Sequence, residues 1–180
     1  RTVCLGGLFT LLSIVSAASG DAIGLFADDG GMDCQIIDDE PGVLNIFVVH
    51  TAPDGATASA FSAPMPACMV GATYLSDTCP FLCPGNSQTG TSRAYGGCLS
   101  GTIHVLTMSF FVQGTSEPCC AYPVLPHPEL GLIIVEDCDG NPIPAQGAAA
   151  TVNGDATCPC QAPVPVEATT WGAVKALYAD

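Results

Sequence analysis

Alternating apolar and polar residues predict a β-strand over residues 102–112. Every second side chain between residues 106 and 112 is apolar, whereas Thr107 and Ser109 between them are polar. The same two-residue period assigns His104 to the apolar face. The pattern therefore indicates a half-buried strand, with His104 packed on its buried face or at the rim rather than acting as a base.

A second strand is predicted for residues 43–50, where apolar residues occur on both faces. Such a pattern is typical of a strand in the middle of a sheet, and His50 is expected to end it. Shorter strands are predicted for residues 23–27, 68–73, 132–138 and 143–152. Turns are predicted at Asp28-Asp29-Gly30-Gly31, Asp139-Gly140-Asn141 and Asn153-Gly154-Asp155. Residues 79–97 carry several prolines and glycines and indicate a turn-rich segment.

No segment between residues 21 and 160 shows the 3.6-residue period of an amphipathic helix. Short strands separated by turn residues favour two packed antiparallel sheets. We therefore expect an all-β fold, a disulfide-rich antiparallel β-sandwich of immunoglobulin-like type, with a short helical tail at the C-terminus. The sandwich domain is predicted to span residues 21–160.

The two ends of the chain differ in composition from this domain. Residues 1–20 read as a signal peptide, because Arg1 precedes an apolar run over residues 5–15 and small residues over 16–20. Cleavage is expected near Ala18 or Gly20; the alternative is a buried N-terminal strand or helix. Residues 161–168 form a proline-rich linker and residues 169–180 the helical tail. No later apolar run is long enough to span a membrane.

The charge balance excludes several classes of partner. Three basic residues face 17 acidic ones, which gives a formal net charge of -14. Nucleic acid and anionic lipid surfaces would repel such a chain. An acidic surface suits solubility outside the cell or the binding of cations.

Eleven cysteines are present, and Cys4 lies in the predicted signal peptide. An even number of cysteines in an exported chain indicates disulfides. The ten candidates are Cys34, Cys68, Cys79, Cys83, Cys98, Cys119, Cys120, Cys138, Cys158 and Cys160. Zinc binding is the weaker interpretation, because the paired CxxC spacing of zinc sites is missing. A redox role at Cys158-Pro-Cys160 is weaker still, because no basic group stands nearby.

Adjacent cysteines on an extended backbone point in opposite directions. Cys119 and Cys120 are therefore expected to bond to different neighbours. Cys158 and Cys160, two residues apart, would face the same side of a strand and tie neighbouring segments together.

Acidic residues cluster near the N-terminus of the predicted domain: Asp28, Asp29, Asp33, Asp38, Asp39 and Glu40. Carboxylates are ligands that calcium prefers, yet the spacing does not match a calcium loop, and Asp137-Cys138-Asp139-Gly140-Asn141 is one residue short of it. Solvated turns are the favoured interpretation. Two such carboxylates would also suit a glycosidase, which is a weak indication in so acidic a chain.

No catalytic motif accompanies the three histidines, and His127, between Pro126 and Pro128, is expected in a rigid loop. The sequence predicts no cofactor and no metal.

The tail holds the chain's only tryptophan and only lysine, Trp171 and Lys175. On a helix, Trp171, Val174 and Tyr178 share one face and Leu177 adjoins them. So short a helix needs a surface to pack on, which is either a partner's groove or the domain itself. The proline linker slightly favours a partner, because it holds the tail away from the domain.

The last residues resemble a known kind of C-terminus. Val166 to Tyr178 reads V-E-A-T-T-W-G-A-V-K-A-L-Y. This segment is similar to the W-G-x-[IV]-K-x-[LM]-Y terminus of uncharacterised bacterial secreted proteins, and residues 98–107 and 119–126 also resemble segments of such chains. The resemblance implies export and surface sorting; it implies no activity. The expected partner of the tail is one that sorts the protein or anchors it to the surface.

The leading functional hypothesis is a secreted or surface-associated, non-catalytic module of structural or adhesive type. The alternative is an extracellular module that binds calcium or carbohydrate, although the domain before the tail has no tryptophan to stack on a sugar. The third hypothesis is a small hydrolase with paired carboxylates.

Overall fold

The computed structural model describes residues 20–160. The predicted linker, the tail and all of the predicted signal peptide except Gly20 lie outside the described residues, and so do the candidate docking residues Trp171, Val174, Lys175, Leu177 and Tyr178. The described range contains no helix, and therefore none that would cross a membrane. Its strands are β1 (Ala22–Phe26), β2 (Gln35–Ile36), β3 (Pro41–Phe61), β4 (Thr73–Thr78), β5 (Gly85–Asn86), β6 (Gly90–Gln113), β7 (Cys120–Pro123), β8 (Ile134–Asp137), β9 (Pro142–Pro144), β10 (Gln146–Gly147) and β11 (Ala149–Val152).

Two long antiparallel strands, β3 and β6, run through both layers of the fold. The first half of β3 and the second half of β6 lie in layer one, in the order β10–β1–β3–β6–β4. Register shifts interrupt the pairing around residues 52–58, and such irregularities bend a strand pair. The second half of β3 and the first half of β6 then form layer two with β8, β9 and β5. The disulfide-rich all-β sandwich predicted from the sequence is confirmed.

The inner faces of the two layers meet in one hydrophobic core. Ile46, Leu106 and Met108 of layer one are buried, as are Phe61 and Val135 of layer two. Burying such side chains contributes roughly 1.5–3 kcal/mol each.

A small sheet, β2–β11–β7, completes the sandwich. Its buried Tyr122 donates a hydrogen bond from its hydroxyl to the carbonyl oxygen of Ala63 at 2.8 Å. Two strand pairs are parallel, β1 with β10 and β2 with β11, so the sandwich is not antiparallel throughout.

Several strand boundaries differ from those predicted. β3 has 21 residues and β6 has 24, because both continue through segments without an alternating pattern. Half of the predicted turn-rich segment 79–97 therefore belongs to strands. Of the predicted strand 68–73, residues 68–71 form turns, and β4 begins only at Thr73. The predicted strand 143–152 divides into β9, β10 and β11.

A β-bulge reverses the predicted side of His104. Val48 pairs with Leu106 and Val49 with His104, so Val105 has no cross-strand partner. The extra residue moves His104 to the face of Thr107, whose hydroxyl lies 3.0 Å from Nε2 of His104. His50 does not end a strand; it lies in the middle of β3 and is fully buried.

Candidate functional site

The outer face of layer two forms a shallow trough with a floor of small side chains. Cross-strand pairing places Ala58 beside Ala94, and Ala60 beside Ser92. These four residues alternate with buried ones along β3 and β6 and therefore point away from the core. The trough is thus an apolar depression along the two central strands.

Larger side chains form the two walls of the trough. On one side, Leu82 pairs with Ala94 and exposes 75% of its surface. On the other side, Ile134 and Glu136 pair with Ala60 and Ala58. The volume enclosed between the walls is about 450 Å³, and its lining also includes Pro84 and Pro142.

The trough continues into a second, more polar depression of about 370 Å³. Pro84 and Ser92 line both, so the two depressions are adjacent. The second one is lined further by Thr89, Gly90, His127, Glu129 and Leu130. The combined surface therefore has an apolar part and a polar end.

The spacing of the trough walls suits an α-helix. The floor lies on β3 and β6, and the walls lie on β8 and on the segment around Leu82, which forms a single β-bridge to β6. With neighbouring chains about 4.8 Å apart, the backbones of the two walls are roughly 14 Å apart. An α-helix with its side chains is about 10–12 Å wide. Small floor residues allow the side chains of such a helix to approach the sheet closely.

A buried arginine supports the floor from below. Arg93 is only 1% exposed and lies on the inner face of β6 between floor residues. Its guanidinium donates to the carbonyl oxygens of Pro84 and Ser92 and to the Asp77 carboxylate at 3.4 Å. Burial lowers the pKa of Arg93, and the charge of Asp77 opposes this. Breaking such a pair would leave an uncompensated buried charge, so the arrangement fixes the backbone beneath the trough.

A short disulfide loop presents the wall residue Leu82. Cys79 and Cys83 are bonded to each other, which closes a loop of five residues. Within it, Phe81 packs against Tyr95 with ring centroids 5.1 Å apart. Phe81 therefore holds the loop to the core while Leu82 faces solvent.

All ten predicted cysteines take part in disulfides. The pairs are Cys34–Cys160, Cys68–Cys120, Cys79–Cys83, Cys98–Cys138 and Cys119–Cys158. Adjacent Cys119 and Cys120 bond to different partners. Cys119, Cys158 and Asp155 come within 4.8 Å of one another, but both sulfurs are bonded in a disulfide. Asp155 instead accepts hydrogen bonds from the hydroxyl and the backbone N–H of Thr157, which lower its pKa.

The clustered carboxylates organise the backbone around them. Asp28 accepts hydrogen bonds from the backbone N–H groups of Met32 and Asp33. Asp38 is buried and accepts from the N–H groups of Gly114 and Ser116. Asp28 and Asp38 therefore form a turn and anchor a loop. The remaining carboxylates of the cluster are exposed: Asp29, Asp33, Asp39 and Glu40.

The Asp137 turn is stabilised in the same way. Asp137 accepts hydrogen bonds from the backbone N–H and the side-chain amide of Asn141 and from the N–H of Asp139, and these hydrogen bonds lower its pKa.

The three histidines lie in separate environments. His50 is buried, with Nδ1 2.9 Å from the Tyr95 hydroxyl and Nε2 3.3 Å from the Asp21 carboxylate. His104 lies on the outer face of layer one, where Phe47 makes an edge contact with its ring. His127 lies at the polar end of the trough. The described structure therefore does not gather them into one site.

The described surface is anionic. Arg93 is the only lysine or arginine among residues 20–160, because Arg1 and Lys175 lie outside this range. Arg93 is buried, so no basic side chain of this kind is exposed there. Glu136 and Glu129 place carboxylates at the apolar and polar parts of the trough.

Comparison with known proteins shows a shared fold. No family model matches the chain, and no curated protein matches it. Among solved structures, it is similar to the sixth cohesin of scaffoldin B from Acetivibrio cellulolyticus, solved with a dockerin: 12% identity, TM-score 0.53, covering 76% of this chain and 99% of that one.

Two further cohesins are similar. The seventh ScaB type I cohesin of Pseudobacteroides cellulosolvens is 11% identical, with a TM-score of 0.51, over 79% of this chain and 96% of that one. The third ScaB cohesin of R. flavefaciens, solved with a group 1 dockerin, is 12% identical, with a TM-score of 0.50, over 74% and 94%. The described domain thus has a cohesin-like β-sandwich fold.

Proposed function

We propose that this chain is a non-catalytic docking module of the cell exterior or cell surface, and that its trough binds a helical segment of another protein. The observation that carries the proposal is the apolar trough in layer two, with Ala58, Ala60 and Ala94 on its floor and Leu82 exposed on its wall. An apolar depression bordered by polar groups is typical of a protein interaction site.

The shape of the trough specifies the kind of segment. Large side chains projecting from one face of a helix would fill the space above the small floor residues and contact Leu82 and Ile134. This is the helix-in-groove mode, in which apolar residues at i, i+3 or i+4 and i+7 act as anchors. Two of the similar cohesins were solved with a dockerin, which supports a protein as the partner.

The negative charge of the domain determines which charged residues should flank the apolar face of the bound helix. Glu136 and Glu129 border the trough, and the described surface has no exposed lysine or arginine to balance them. A helix with lysine or arginine beside its apolar face would be attracted and correctly oriented, whereas an acidic helix would be repelled. The preferred occupant is therefore a cationic amphipathic helix.

The five disulfides favour an oxidising compartment. Together with the predicted signal peptide and the acidic composition, they support export. The carboxylates of Asp28, Asp38 and Asp137 accept hydrogen bonds from backbone N–H groups of turns and loops. This structural role favours an adhesive module over a hydrolase.

Binders selected from a display library of helical peptides test this function. We expect the peptides selected on the mature protein to carry an apolar face flanked by lysine or arginine. Ala94→Trp, which fills the floor, should weaken their binding at least tenfold. The matched control is Ala121→Trp, an exposed alanine on β7, which should leave binding unchanged. Selected peptides that are acidic, or that bind the Ala94→Trp variant as tightly as the unaltered protein, would contradict the proposal.

A further inference from the structure

The outer face of layer one carries a second exposed apolar surface, distinct from the trough. Val43 on β3 and Phe111 on β6 are cross-strand partners. Val43 exposes 65% and Phe111 41% of its surface. Both belong to central strands of the layer, where large apolar side chains are normally covered. This surface, defined by Val43 and Phe111 and called the open face, has no covering element among the described residues.

The chain leaves the described range on the same side of the sandwich. Cys160, the last described residue, is bonded to Cys34. It packs in a small cluster with Phe26, Val49 and Phe47. Phe47 follows Val43 by four residues on β3, so the side chains of both lie on the same face of the strand. At about 3.4 Å per residue, the two are roughly 14 Å apart.

The linker is long enough to bring the tail to the open face. Residues 161–168 would span about 25 Å as an extended, proline-rich segment at about 3.1 Å per residue. The trough, in contrast, lies on the opposite outer face. To reach it, the linker would have to pass around the edge of two layers that pack roughly 10 Å apart.

The tail carries apolar side chains and a positive charge, which complement the exposed apolar pair and the nearby carboxylates of the open face. Its predicted helix carries Trp171, Val174 and Tyr178 on one face and needs burial to be stable. Lys175 is the chain's only lysine. The exposed carboxylates of Asp39 and Glu40 precede β3, a few residues from Val43, and would attract that charge.

From these observations we propose that residues 169–180 dock on the open face of their own domain, with Trp171 covering Val43 and Phe111. The sequence alone leaves the domain and a partner's groove both open as the docking place, with a slight preference for the partner. The position of Cys160 and the uncovered apolar pair favour the domain. The tail would then complete the sandwich as a third layer over part of layer one.

The fluorescence of the chain's single tryptophan tests this arrangement. In the mature protein with its disulfides intact, emission from Trp171 should be blue-shifted and protected from acrylamide. Replacing the open face, by Val43→Thr together with Phe111→Ser, should shift the emission to that of solvated tryptophan and increase quenching severalfold. Both residues are exposed, so the domain should keep its far-UV spectrum and cooperative unfolding.

The matched control is Leu82→Ser, which removes an exposed apolar side chain from the trough. It should leave Trp171 emission unchanged, so that a result for the tail is independent of the proposed function of the trough. Solvent-like emission in the unaltered protein would overturn the proposal. Protected emission that survives the open-face substitutions would place the tail elsewhere and overturn it as well. Protection that disappears on dilution, together with a dimer, would show exchange of tails between two copies instead.

Discussion

A buried histidine links β3, β6 and the residue before β1. His50 on β3 contacts the hydroxyl of Tyr95 on β6 and the carboxylate of Asp21, which directly precedes β1. Desolvation lowers the pKa of His50 below its ordinary value, against the opposing charge of Asp21. Burial also raises the pKa of Tyr95. The folded state therefore favours a neutral imidazole that is held by two polar neighbours.

This histidine should make the domain sensitive to mild acid. Since the folded pKa is below the unfolded one of about 6.5, the unfolded chain binds the proton first as the pH falls. Stability should therefore decrease from about pH 7 to pH 5, with a slope of at most about 1.4 kcal/mol per pH unit for one proton. Urea unfolding across this range measures the slope.

Two histidine variants separate this effect from general acid denaturation. His50→Gln should remove the slope, whereas His104→Gln, altered on the outer face of layer one, should keep it. The carboxylates with lowered pKa, Asp137 and Asp155, lose their contribution only at lower pH, outside this window. A slope that persists in the His50→Gln variant would refute the assignment.

At the scale of elements, the sequence predicts those parts of the two long strands that lie in layer one. There, alternating large apolar residues mark the buried face of β3 and β6. The halves in layer two lack this signal, because the outward positions are small alanines and serines and Arg93 occupies a buried position. The trough therefore could not be predicted from the sequence, because it depends on which small residues the register of β3 and β6 places side by side.

Two other features of the elements depend on tertiary structure. The bulge that moves His104 to the outer face adds one unpaired residue, and a strict two-residue period does not reveal it. The cysteine pairing is also not contained in the spacing, because ten cysteines allow many combinations. Opposite orientation of adjacent residues separates Cys119 from Cys120, but only the folded chain brings Cys120 on β7 to Cys68 in a turn.

A glycine packs against a disulfide where β3 passes from one layer to the other. Gly55 has a φ of 89°, and an added Cβ would lie 2.7 Å from Sγ of Cys138 and 3.0 Å from Sγ of Cys98. Gly55→Ala should cost roughly 2–5 kcal/mol, the sum of left-handed strain and overpacking. Chemical denaturation of the oxidised protein measures this loss.

Two other glycines separate strain from crowding at this bend. Gly96 shares the left-handed backbone but has open space around its Cα, so Gly96→Ala should cost about 1–2 kcal/mol. Gly97 has open space and no positive φ, and its substitution by alanine should change stability by less than about 0.5 kcal/mol. Equal losses at Gly55 and Gly96 would show that contact with the disulfide contributes nothing.

At the scale of the whole molecule, acidic charge and covalent bonds act against each other. A formal charge of -14 makes the compact state repel itself, more so at low ionic strength. The disulfides offset this by restricting the unfolded chain. The bond Cys34–Cys160 joins residues 126 positions apart, and so encloses most of the described domain, whereas Cys79–Cys83 spans only four positions.

The two bonds should therefore differ in their effect on stability. Loop entropy gives about 4.7 kcal/mol for a loop of 100 residues and, by the same relation, about 2 kcal/mol for one of five. Replacing Cys34 and Cys160 together by alanine should lower the free energy of unfolding by roughly twice as much as replacing Cys79 and Cys83. Urea unfolding of both double variants at one fixed salt concentration measures the difference.

Because Leu82 lies inside the small loop, the Cys79/Cys83 variant should lose peptide binding at the trough while remaining folded. If that variant were instead the less stable of the two, the short loop would be holding the core through Phe81, and chain entropy would not be the main effect of these disulfides.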